Sequence, residues 1–86
     1  MPNSFSFNVS GADKADALAQ SAAMIEQAAS DNALPEAITA ALEGNAAAQV
    51  ALLPDDDPRR ICVSVNALWD GAAWVGFEVK AGLLGS

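Results

Sequence analysis

The stretch Arg60-Ile-Cys-Val-Ser-Val-Asn-Ala-Leu-Trp69-Asp-Gly-Ala-Ala-Trp74-Val-Gly-Phe-Glu-Val-Lys-Ala81 decides the fold. Ile61, Val63, Val65 and Ala67 alternate with Cys62, Ser64, Asn66 and Leu68, and Val75, Phe77 and Val79 repeat the pattern beyond Asp70-Gly71. Alternation of period two puts every second side chain on one side of a strand, so the stretch predicts two antiparallel strands joined by a tight turn. The apolar sides must match across the pair, and that constrains the register. A two-residue loop at Asp70-Gly71 would set Val65 against Gly76 and Val63 against Glu78, placing a charge on the apolar side. A three-residue loop, Asp70-Gly71-Ala72 with Gly71 at positive φ, instead pairs Val65 with Phe77, Val63 with Val79 and Ala67 with Val75. In that register Leu68 lies opposite Trp74 on the second side of the sheet, among Ser64, Asn66, Glu78 and Lys80.

Upstream, Pro54-Asp55-Asp56-Asp57-Pro58 is a cluster of turn residues. The segment before it, Asn45 to Leu53, mixes helix-forming Ala, Gln and Leu with Val50 and Leu52 at strand spacing. The turn cluster tips its reading toward a short strand paired with the one at Ile61. Further back, Pro35-Glu36 suits a helix start and Gly44 a helix stop, with Ile38, Ala41 and Leu42 inward. Leu18, Ala22, Ile25 and Ala29 recur at spacings of four, three and four, which predicts an earlier helix from about Ala12 to Ser30-Asp31-Asn32, with Met24 and Ala28 at the margin of its stripe. Ser10 followed three residues later by Asp13 resembles an N-capping arrangement in which the Ser10 hydroxyl accepts a first-turn amide, and Asp13 and Asp16 add favourable charge at the positive helix end. Finally, Ser4 to Val9 alternates strictly, with Phe5, Phe7 and Val9 on one side. Residues 82–86 read as a frayed tail, with docking of Leu83 and Leu84 on the sheet edge or on a partner as the alternative. The predicted architecture is α+β: an antiparallel three- to four-stranded sheet with two helices packed on one face, in a single domain spanning residues 1–86.

Composition narrows the function. The chain has 86 residues, and 52% of them are hydrophobic. Twenty of these are Ala, which removes little area from water, so the core is short of bulk and a homo-oligomer is expected to bury more surface. Eleven acids against four bases give a net charge of −7, which argues against direct binding of nucleic acid or an anionic membrane. Histidine is absent and there is one cysteine, Cys62. That excludes an internal disulfide and leaves no proton shuttle near neutral pH, so no catalytic residue, metal or cofactor is expected. Asp55, Asp56 and Asp57 lack the spacing of a calcium loop and read as a solvated acidic loop, with Arg59 and Arg60 beside it. The first residues carry neither a basic start nor an apolar run, so a cytoplasmic setting is expected.

The strand, the helix and the closing hairpin resemble in outline the small dodecin-like flavin binders. The resemblance covers the topology and the Asp70-Gly71 turn, and it implies that an exposed Trp would stack on a flavin ring. The second helix and the acidic loop depart from that pattern, and no residue is carried over from it.

The expected function is therefore a non-enzymatic protein–protein interaction module, a small acidic accessory or inhibitor protein of the bacterial or bacteriophage kind, acting as a homodimer. Its docking surface is expected at Ser64, Asn66, Leu68, Trp74, Glu78 and Lys80, with Trp74 as anchor. The alternative is an acidic decoy, through Asp55, Asp56 and Asp57, of the nucleic-acid-binding site on a target enzyme. A small enzyme or ligand binder ranks third.

Overall fold

The computed structural model describes residues 2–84. Five elements follow one another: β1 (Phe5–Gly11), α1 (Lys14–Asn32), α2 (Glu36–Ala51), β2 (Ile61–Trp69) and β3 (Trp74–Leu83). The strands form one antiparallel sheet in the order β1-β2-β3, with both β1 and β3 at edges. The class is α+β, with three strands among the described residues.

The fourth strand expected over Asn45–Leu53 is helix as far as Ala51, and Gly44 does not stop α2. Leu42, Ala46 and Val50 recur every four residues and are all buried. Continuing the helix therefore keeps Val50 in the core. Gly44 points to open space, with nothing within 4 Å of where a Cβ would be. It costs the helix only about 1 kcal/mol relative to Ala, less than burial of Val50 returns. The segment Leu52–Arg60 then connects α2 to β2, so the turn cluster at Pro54–Pro58 is a helix-to-strand loop.

Helix α1 begins two residues later than its predicted start, because β1 continues to Gly11. Asp13 is the N-cap: its carboxylate accepts from the Asp16 amide at 2.8 Å, while the Asp16 carboxylate accepts from the Ala12 amide at 2.8 Å. This reciprocal pair satisfies donors that a helix start leaves open. Ser10, expected as a cap, instead takes Arg60 on its hydroxyl at 2.8 Å and, with Gln20, on its carbonyl at 3.0 Å. The buried stripe of α1 runs Ala17, Ser21 and Ile25. It is turned from the expected Leu18-Ala22 line, because Ser21 is small enough to sit at 1% exposure and donates its hydroxyl back to the Leu18 carbonyl. Leu18 and Ala29 flank the core, and Met24 is exposed. The helix ends where Ala33 adopts the left-handed conformation at φ 53°, its amide returning to the Ala29 carbonyl.

One buried cluster joins Ala17 and Ile25 of α1, Leu42, Ala46 and Val50 of α2, Val9 of β1, Ile61, Val63 and Val65 of β2, and Val79 of β3. Its members on the strands are the odd-numbered residues that alternation marks as apolar. The even-numbered residues of β2, Cys62, Ser64, Asn66 and Leu68, reach solvent in part or in full. The end of the chain is also more ordered than expected: Gly82 and Leu83 belong to β3, and the Leu84 amide donates to the Arg60 carbonyl at 2.8 Å. Residues 85 and 86 of the expected tail lie outside the described residues.

Candidate functional site

The β2–β3 register differs from expectation. Val65 pairs with Val79, Ala67 with Phe77, Val63 with Ala81 and Leu68 with Gly76, two residues away from the predicted partners. A register shift follows at Leu68/Trp69, where Trp69 pairs with Trp74, so Val75 is an extra, bulged residue. The loop is four residues long rather than three. Asp70 closes it: its carboxylate accepts from the amides of Ala72 at 2.8 Å and Ala73 at 2.7 Å, and Gly71 takes φ 102° as expected. These two amides, that of Ala72 first, hold the Asp70 carboxyl below its usual range.

The bulge reverses Trp74. A single inserted residue moves a side chain to the other side of a strand, so Trp74 joins Trp69 and Phe5 on the side that carries the core. Its ring lies 5.2 Å from that of Trp69 and meets Phe5 edge-on at 6.0 Å. The predicted placement of Trp74 beside Leu68 on the open side is therefore corrected. The other five expected surface residues do share that side. Ser64 donates to the Asn8 side chain at 2.6 Å, and Asn66 lies between Ser6 and Glu78. Lys80 pairs across from Ser64 and sits 3.8 Å from Glu78. Leu68 is 53% exposed, because its cross-strand partner Gly76 has no side chain to cover it. The result is an open depression of about 620 Å³ lined by Ser6, Asn66, Leu68, Gly76, Phe77 and Glu78, among others.

Sequence reasoning missed the distribution of aromatic rings. The chain has three Phe and two Trp, and no Tyr. None of the five is in the buried core, which is built from Ala, Ile, Leu and Val with Ser21. Phe5, Phe7, Trp69 and Trp74 are half-buried, and Phe77 is 42% exposed. Phe5, Trp69, Trp74 and Phe77 lie toward the hairpin end of the sheet near the 60%-exposed Val75, with Phe7 opposite Val65 at mid-strand, all on the side away from Leu68. The signal was present in the two Trp residues, Trp69 and Trp74, that flank the four residues 70–73.

The acidic loop is partly neutralised from within the chain. Asp55 pairs with Lys14 at 2.6 Å, and that contact lowers its carboxyl pKa. Asp57 takes the Arg59 guanidinium on both oxygens, at 2.9 and 2.8 Å, and the Arg59 amide at 2.9 Å. The guanidinium first, and then the amide, pull the Asp57 carboxyl down to about 2. Arg60 faces Ser10 and not the acidic loop, contrary to expectation.

A second depression, of about 600 Å³, lies between α1 and α2 and is edged by Glu26, Glu36 and Glu43. Glu26 and Glu43 face each other there, and the hydrogen bond between them raises the Glu43 pKa above its usual value, with burial and mutual repulsion adding to the effect. A carboxyl whose folded pKa is raised contributes stability below its unfolded pKa, and that contribution is lost as pH rises through the folded value. At pH 7 the two carboxylates therefore repel. Glu43→Gln is expected to raise stability at pH 7 by about 0.5 kcal/mol or less, as for other solvent-exposed pairs. Its advantage should disappear as urea melts are repeated toward pH 4.5. A gain unchanged by pH would show that the two carboxyls do not interact.

No family model, curated protein or solved structure matches this sequence. No helix among the described residues is long and apolar enough to cross a membrane.

Proposed function

We propose that this chain is a non-enzymatic protein–protein interaction module that works as a homodimer through the hairpin end of its sheet. The observation that carries the reading is the aromatic distribution. Aromatic side chains bring the largest apolar area of any residue, about 150–250 Å² each, and a chain short of core bulk would be expected to bury them. Here every ring stays at least partly accessible, and the smaller aliphatic residues fill the interior. Phe77 on the core side and Leu68 on the open side, with Val75 at the bulge between them, give this end exposed apolar surface on both sides of the sheet, and Asn66, Glu78 and Lys80 border Leu68 with polar groups. Trp74 supports this end from the core side through Phe5 and Trp69. The decoy reading is weaker, because Lys14 and Arg59 already engage two of the three loop aspartates.

Light scattering over a dilution series tests the proposal. The native chain should show twice its 8.7 kDa mass at the concentrated end. Phe77→Asp, at a 42%-exposed position outside the buried cluster, should remain at monomer mass with an unchanged far-UV spectrum. A native chain that stays at monomer mass throughout would overturn self-association. A Phe77→Asp chain that still doubles its mass would remove the aromatic end as the surface.

A further inference from the structure

We infer that the second copy docks by antiparallel pairing of β3 with its own symmetry mate, centred on Val79, so that two three-stranded sheets become one of six. This rests on the homodimer reading above and specifies its geometry. Strand β3 is a ten-residue edge. The Leu84 amide points back to β2, where it meets Arg60, whereas the Ala81 amide points away and is taken by the Gln49 side chain at 3.3 Å. Backbone direction alternates along a strand, so the amides and carbonyls of Phe77 and Val79 also face the open edge. Such an edge is a template for another strand.

Charge selects both the occupant and the register. In a two-fold antiparallel pairing the opposing residue numbers sum to a constant, so each register is named by the residue that faces itself. Centring on Glu78 sets two carboxylates against each other, and centring on Lys80 does the same with two ammonium groups. Centring on Phe77 opposes Glu78 to Gly76. With Val79 at the centre, Glu78 lies opposite the partner's Lys80 and Lys80 opposite the partner's Glu78, both on the open side of the sheet. Val79 then meets its own copy, and Phe77 meets the partner's Ala81, with the partner's carbonyl replacing Gln49 on the Ala81 amide. Glu78 and Lys80 fall at non-hydrogen-bonded positions, where opposing side chains come closest. An edge protected against pairing would carry charges of one sign. This one carries one of each, two residues apart and exposed.

Disulfide trapping tests the register. Glu78→Cys and Lys80→Cys chains, each also carrying Cys62→Ser, are prepared separately, then oxidised alone and as a mixture. Non-hydrogen-bonded partners lie about 4.5 Å apart at Cα, within disulfide reach. The mixture should therefore yield several-fold more cross-linked dimer than either chain alone. Charge reversal supplies an independent reading. Glu78→Lys or Lys80→Glu should each weaken the dimer about tenfold, since two like-charge contacts replace two favourable ones, and the double swap should restore it. If the native chain dimerises but the mixture shows no excess, β3 pairing is wrong and the interaction module stands. If the native chain is monomeric at every concentration and the mixture shows no excess, both fall.

Discussion

Replacing Gly11 with alanine is expected to cost about 3 kcal/mol or more, the upper end of what overpacking does to a close-packed interior. The reason is space rather than backbone torsion. Gly11 ends β1, is buried, and lies against the start of α1. A Cβ placed there would fall 2.6 Å from the Cα of Ala17 and 2.8 Å from its Cβ, and closer still to its amide nitrogen. The nitrogen and Cα are helix backbone and the Cβ is fixed directly to them, so none can rotate aside as a side-chain tip would. The helix would have to lift away from the strand. That movement would disturb the Asp13–Asp16 cap and the Gln20 and Arg60 contacts to Ser10, all within a few residues of Gly11. A domain of this size has about 4–13 kcal/mol of total stability, so the variant should be partly unfolded at 25 °C in urea that leaves the native chain intact. A midpoint equal to the native one would show that α1 does not approach β1 this closely. Gly44→Ala is the natural control, because its Cβ meets nothing within 4 Å and a helix gains from the change.

Much of this architecture was legible in the residues, and the exceptions share a cause. Strict alternation at Phe5–Val9, Ile61–Ala67 and Phe77–Val79 identifies three strands, because apolar and small polar residues mark the two sides unambiguously. It cannot reveal a bulge. Val75 is apolar, so an inserted residue leaves the apparent pattern unbroken while Trp74 crosses to the other side. The second half of α2 was obscured for a related reason. Ala46, Ala47 and Ala48 are neutral in a hydrophobic pattern, so the line from Leu42 through Ala46 to Val50 carries almost no amphipathic contrast even though all three are buried. Of the expected docking surface, Ser64, Asn66, Leu68, Glu78 and Lys80 share the open side because they depend only on parity within unbulged strand. Phe77 and Val75 were overlooked because a parity argument assigns them to the core. The helices do not bury either residue, and that exposure is set by tertiary packing.

Leu42→Ala is the second substitution expected to have a large effect, with a loss of about 2–5 kcal/mol in urea or thermal melts. Leu42 has no exposed surface and is among the largest fully buried side chains, with Ile25, Val50, Val63 and Val65. Alanine is a better helix former than leucine, so α2 itself gains slightly and the whole deficit arises from lost contacts and the cavity left behind. With so many alanines already lining the interior, few neighbouring side chains are long enough to collapse into the gap, which places the expected loss in the upper half of the range. Leu52 is the matched comparison. It has the same side chain at the C-cap of the same helix but is 86% exposed, so Leu52→Ala should stay within about 0.5 kcal/mol of the native chain. If the two variants melted together, the stability of this domain would not reside in the cluster that joins its helices to its sheet. If Leu42→Ala alone fell, a dimer should recover part of the loss as protein concentration rises, because association stabilises the folded chain by mass action. That concentration dependence should disappear in the Phe77→Asp background, which ties the small core to the aromatic end.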